Sequence, residues 1–137
     1  MYMKLTSSFL FVAMLVKHMK GEACIKEDFG MLNLSSDEVT YTYKNEIYRL
    51  SSHPYEPCLF LYRGDELVCV LHNAYNPEHL VKAFSAGETV KTNYGKDYDK
   101  EEYDEKGFCK VLAAALDSGR GDMDLFYAAK LAKERSR

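Results

Sequence analysis

The strongest constraint on this chain lies between Val39 and Leu71, which reads as two β-hairpins in tandem. Val39-Thr40-Tyr41-Thr42-Tyr43 alternates apolar or aromatic residues with polar ones, the pattern of a strand with one face buried. A turn at Lys44-Asn45 sets Tyr41 opposite Tyr48 and Val39 opposite Leu50, so one apolar face forms. The second hairpin joins Cys58–Tyr62 to Leu67–Leu71 through Arg63-Gly64-Asp65-Glu66. A two-residue Gly64-Asp65 turn suits a primed turn geometry and places Arg63 against Glu66 as an opposite-charge cross-strand pair.

Helical patterns surround this unit. Thr6-Ser7-Ser8 and Gly21 bracket a helix over about Phe9 to Lys20 that is apolar almost all round, which suits a central position or a subunit contact, with a strand through Phe9-Leu10-Phe11-Val12 as the alternative. Ala23 to Leu34 is ambiguous, with a short strand expected around Cys24-Ile25. Asn76 as cap and Pro77 at the first helical position open a second helix, with Leu80, Val81 and Phe84 on its apolar stripe and Gly87 as its stop. Thr89 to Thr92 reads as a short edge strand, and Asn93 to Asp104 as a polar loop. Phe108, Val111, Leu112, Ala115 and Leu116 recur at helical spacing, closed by Asp117-Ser118-Gly119. Asp122 or Asp124 can cap a last helix through Leu125, Phe126, Ala129 and Ala132.

The expected architecture is a single α+β domain over residues 1–137. An antiparallel meander of about four strands (about 38–71) is packed by an N-terminal helix and three C-terminal helices. A chain of 137 residues, 47% hydrophobic, has the material for a real core.

Charge narrows the function. The net charge is −3, so no general attraction to nucleic acid follows. From Asp97 to Glu105 six carboxylates accompany one lysine, a local net of −5. Tyr94, Tyr98 and Tyr103 interleave with Asp97, Asp99, Glu101, Glu102, Asp104 and Glu105. Spaced carboxylates can mimic a phosphate backbone, and tyrosines add rigid contact area. The principal expectation is a small non-catalytic protein, an inhibitor or regulator, that presents this stretch to the basic, nucleic-acid-binding site of a protein partner. The plainer alternative for the same residues is a solvated helix start, where carboxylates suit the dipole.

A meander also brings the Ser51–Pro57 connection to the same end of the sheet as the exit after Leu71. His53, Tyr55 and Glu56 then approach His72, Asn73 and Tyr75. The alternative expectation is a polar-ligand-binding or catalytic site at that end.

Other chemistry finds less support. His53, Cys58, Cys69 and His72 are zinc-ligand types, but in the plain hairpin register Cys58 and Cys69 share a face while His72 points to the other, so no metal site is expected. No nucleophile elbow, phosphate loop or dinucleotide fingerprint occurs, so neither catalytic residues nor a cofactor are assigned. Cys58 opens an apolar strand, which predicts an inert thiol. Cys24, Cys58, Cys69 and Cys109 lie far apart among apolar residues and read as buried free thiols. Arg63-Gly64-Asp65 matches an adhesion tripeptide, but it stands where the hairpin needs a turn. The apolar run Phe9–Val16 is followed by Lys17-His18-Met19-Lys20 where a signal peptide needs small residues, and it is too short to span a bilayer. A cytoplasmic protein without membrane contact is expected, and homo-oligomerisation through Phe9–Val16 is a third reading.

Overall fold

A computed structural model describes residues 28–91 and 102–135. Along the chain come β1 (Met31–Asn33), β2 (Val39–Tyr43), β3 (Glu46–Ser52), β4 (Cys58–Arg63), β5 (Glu66–His72), α1 (Pro77–Ser85), β6 (Val90–Lys91), β7 (Glu102–Tyr103), α2 (Glu105–Asp117), β8 (Asp122–Asp124) and α3 (Leu125–Arg135). The fold is α+β, and its two hairpins are those expected. Val39 pairs with Leu50 and Tyr41 with Tyr48. Lys44 and Asn45 adopt φ of 50° and 66°, the left-handed pair that a type I′ turn requires. Gly64 takes φ 63° at the first position of the second turn, and Arg63 bonds Glu66 at 2.9 Å.

The expected four-strand meander is only part of the sheet. Six strands run in the order β1-β2-β3-β4-β5-β8, and β8 joins β5 in parallel while all other pairs are antiparallel. The expected strand near Cys24-Ile25 and the helix over Phe9–Lys20 fall outside the described residues, as does the proposed Phe9–Val16 contact. Thr89–Thr92 does not extend the main sheet. Val90 and Lys91 instead pair with Tyr103 and Glu102 in a separate two-stranded ribbon, so the loop expected over Asn93–Asp104 ends in a strand.

The second correction is a β-bulge. Tyr62 pairs with Leu67 and Leu61 with Cys69, leaving Val68 as an extra residue on β5. One extra residue reverses the alternation beyond it. Leu59, Leu61, Cys69 and Leu71 consequently share the core face, whereas Cys58 pairs with His72 on the other. The expectation that Cys58 and Cys69 share a face therefore fails.

The core lies between the sheet and the helices. Tyr41, Leu59, Leu61 and Leu71 are fully buried with Leu80 of α1, Phe108, Val111 and Leu112 of α2, and Ala128 of α3. Alanines 113–115 of α2 and Ala128, Ala129 and Ala132 of α3 are buried, and the two helices pack on each other, as such small side chains allow. Capping follows the sequence: Asn76 Oδ1 accepts from the His79 N–H at 2.8 Å, and Asp104 Oδ1 from the Gly107 N–H at 2.7 Å. Of the two proposed caps for α3, Asp124 serves, accepting the Phe126 N–H at 2.8 Å, while Asp122 begins β8. Among the described residues, no helix is long and apolar enough to cross a membrane.

Candidate functional site

The Ser51–Pro57 connection is organised by one side chain. His53 Nδ1 accepts hydrogen bonds from the backbone N–H groups of Tyr55 (3.0 Å) and Glu56 (3.1 Å). With Nδ1 acting as acceptor, the neutral ring carries its proton on Nε2. The His53 ring also stands edge-on to Phe60, with centroids 6.3 Å apart. The loop is tied to the exit from β5 by the Ala74 N–H, which donates to the Pro57 carbonyl at 2.8 Å. Beyond Ala74, the Asn76 cap starts α1, and Tyr75 stacks on His79 at 4.7 Å with rings 14° from parallel.

Between these two segments lies a pocket of about 420 Å³, whose wall includes His53, Tyr55, Glu56, Cys58, Tyr75 and His79. Tyr55 stands at the rim, 90% exposed. Burial pushes the Tyr75 phenol above its usual pKa, opposed by a backbone hydrogen bond at Lys91. A larger cleft of about 600 Å³ lies between the Ser35–Glu38 connection, β3 and the start of α1. Its charged members are Asp37, Glu38, Arg49 and Glu78, and it contains no imidazole or thiol.

The remaining polar groups of this sheet end turn toward β8. Because β8 runs parallel to β5, Asp122 lies beside Val70 and Asp124 beside His72. The bulge brings Cys58 opposite His72 from the other side. Cys58 Sγ lies 3.4 Å from His72 Nδ1, and His72 Nε2 lies 2.9 Å from Asp122 Oδ2. A thiol, an imidazole and a carboxylate thus stand in line across three strands. The Asp122 carboxylate accepts from Nε2–H, so Nδ1 is left as an acceptor for the thiol proton. Asn73, at φ 58°, donates through Nδ2 to Asp124 Oδ2 at 2.6 Å. Asp124 is thereby committed to the helix cap and to Asn73, while Asp122 faces His72.

Burial raises the Cys58 thiol above its ordinary pKa, and the charges of Glu56 and Asp122 raise it further. The resting sulfur is consequently a protonated thiol rather than a thiolate. Burial pushes Cys69 up to about 11, with the Asp122 charge adding to the rise. It pushes Cys109 up to about 12, against a backbone hydrogen bond at Leu32, with Glu105, Asp104 and Asp28 adding to the rise. Cys58, Cys69 and Cys109 are free.

Of the six residues expected at the sheet end, His53, Tyr55, Glu56 and Tyr75 line the pocket, while His72 and Asn73 engage β8 behind it. Cys58 belongs to both groups. Sequence reasoning missed His79, Cys58 and Asp122 as members. His79 follows Tyr75 at helical spacing, and Asp122-Met123-Asp124 alternates polar, apolar, polar as a half-buried strand does, so both carried a faint signal. Among the described residues, no group of three or more His, Cys, Asp and Glu is placed to hold a metal ion.

The acidic stretch is described only at its end; Tyr94, Asp97, Tyr98, Asp99 and Glu101 lie outside the described residues. Glu102 is 3.8 Å from Lys91, and Asp104 caps α2. Tyr103 packs against the core, and Glu105 is half-buried in the first turn of α2.

Compared with known proteins, the chain matches no family model, no curated protein and no solved structure.

Proposed function

We propose that this chain is a small polar-ligand-binding domain with its site at the sheet end. The observation carrying the reading is the pocket of about 420 Å³ in which a carboxylate, two imidazoles and two phenols converge. The groups are complementary in kind. His53 has Nδ1 committed to its own loop and keeps Nε2–H as a donor, while Glu56 supplies an acceptor. A ligand with an oxygen acceptor and an N–H donor close together, as in a carboxamide, satisfies both. Titration of the ¹⁵N-labelled protein with acetamide and N-acetylated amino-acid amides tests this. Saturable shifts confined to residues 53–58 and 74–79 are expected. Glu56→Ala should weaken binding by roughly fivefold, the loss of about one hydrogen bond. Shifts scattered over the molecule, or none at this end, would refute the reading.

A second reading is that the Tyr94–Glu105 stretch binds a basic, nucleic-acid-binding site of a partner protein, so that the chain acts as an inhibitor or regulator. Its support is the exposure of Glu102 and Asp104 on either side of Tyr103, which is held against the core. In that case reversing the charge at Asp97, Asp99, Glu101 and Glu102 weakens retention on an immobilised basic protein, and added salt does the same. Retention indifferent to both changes removes it.

A further inference from the structure

We infer that Cys58 is a nucleophile, with His72 as its general base and Asp122 as the group that orients and stabilises the imidazole, and that the ligand of the adjoining pocket carries an electrophilic acyl group. The inference rests on the pocket reading above and names its chemistry.

Three observations carry it. First, the line of contacts is continuous: 3.4 Å from Cys58 Sγ to His72 Nδ1 and 2.9 Å from His72 Nε2 to Asp122 Oδ2. Such a constellation is recognised by its geometry and roles, whatever the order of its residues in the chain. Here the order is Cys, His, Asp on β4, β5 and β8. Second, Cys58 lines the pocket, so the thiol-bearing residue adjoins the space where a ligand fits. Third, the arrangement depends on two departures from a plain meander, the bulge at Val68 and the parallel addition of β8. Without the bulge, Cys58 would face Leu71; without β8, no carboxylate would reach Nε2.

The electrostatics select the mode of action. Burial and the carboxylates of Glu56 and Asp122 keep the thiol protonated. A standing thiolate–imidazolium pair is therefore disfavoured, and the proton must leave as sulfur attacks. Sγ adds to the acyl carbon of an ester while its proton passes to Nδ1, and Asp122 stabilises the imidazolium that results. The acyl C–O bond then breaks, the alcohol leaves with the proton from Nδ1, and the acyl group stays on sulfur as a thioester. Water attacks the thioester, giving its proton to Nδ1. The acid departs and sulfur regains its proton. The net reaction is hydrolysis of the ester, with no oxidant or metal consumed.

p-Nitrophenyl acetate is the probe. Its acetylation of the full-length protein is followed by release of p-nitrophenolate and by peptide mapping of the acetylated cysteine. Acetylation of Cys58 at neutral pH is expected, slowed on the order of 10²-fold in His72→Gln. Asp122→Asn, at a side chain 69% exposed, keeps the fold and should give an intermediate loss. The shape of the pH profile separates a base from a structural role. In the wild type the rate levels off below the range of the thiol's own ionisation, whereas in His72→Gln it climbs with that ionisation. A wild-type rate and profile in His72→Gln, or acetylation that avoids Cys58, overturns the inference. Amide binding at residues 53–58 and 74–79 is measured on the same variants. Binding without relay-dependent acetylation sinks only the nucleophile, and acetylation without amide binding sinks only the carboxamide reading.

Discussion

Replacing Tyr41 by phenylalanine tests how the sheet is fastened to its helices. Tyr41 is fully buried in β2, and its hydroxyl reaches two carbonyls, that of Phe29 and, at 3.1 Å, that of Cys109 in α2. A hydroxyl has one proton to donate, so the two acceptors share it. Burial, with lesser effects from Cys109, Tyr43, Asp28 and Asp117, raises the phenol pKa and keeps it a donor across the working pH range. Tyr41→Phe removes the donor and leaves the ring in place. A buried acceptor left unsatisfied costs about 1–3 kcal/mol. The Phe29 bond is only partly buried, so water can replace the donor there, and the Cys109 carbonyl lies within a helix and has a backbone partner. The lower half of the range applies, about 1.5 kcal/mol. With a urea m-value of about 2 kcal/mol/M, the unfolding midpoint falls by about 0.75 M. Urea titration followed by far-ultraviolet circular dichroism measures it, with Tyr55→Phe at a 90% exposed position as the control. A shift of less than about 0.2 M in Tyr41→Phe would show that the hydroxyl does not fasten β2 to α2.

Other outcomes follow from the same geometry. Gly30 has φ +84°, and a Cβ there would lie 2.5 Å from the Thr42 carbonyl oxygen, so Gly30→Ala should cost more than about 1 kcal/mol in thermal unfolding. Burial alone would raise the pKa of Asp117, but hydrogen bonds from Tyr43 and Lys44 and the charges of Lys44 and Arg135 outweigh it and hold the carboxyl below 3.8. A depressed folded pKa gives stability that is present above the unfolded value and lost as pH falls through the folded one. The stability gap between the wild type and Asp117→Asn should therefore narrow as pH drops below about 4 and be constant near neutrality. Asp124→Ala removes both the cap of α3 and the partner of Asn73, and should lower stability by about 1–2 kcal/mol in urea. Cys69 and Cys109 should resist iodoacetamide at pH 8 in the folded protein and react once it is unfolded, because burial holds both thiols protonated and covered.

The hairpins were legible because strand alternation and turn chemistry are local. Lys44-Asn45 and Gly64-Asp65 set the registers, and Arg63 met Glu66 as expected. The cap at Asn76 follows the same local logic. What escaped notice depends on distant partners. Val68 looks like any other apolar residue of a strand, and only its place opposite β4 makes it a bulge. Asp122-Met123-Asp124 is three residues long, and it becomes a strand because β5 offers an open edge beside it. These two features move Cys58 away from Cys69, place it against His72 and supply Asp122. The thiol expected to be inert thus stands beside an imidazole. Tyr55 and Glu56 were foreseen at the sheet end because the meander alone puts them there, whereas His79 enters through the docking of α1.

The most direct test of the assembled sheet end is the protonation of the His72 ring, read from ¹⁵N spectra of the assigned imidazole near neutral pH. For the neutral form of the ring, the alignment of Cys58, His72 and Asp122 predicts the tautomer with its proton on Nε2 and a bare Nδ1, and a loss of that preference in Asp122→Asn. A proton on Nδ1, or a tautomer mixture indifferent to the Asp122 substitution, would contradict it.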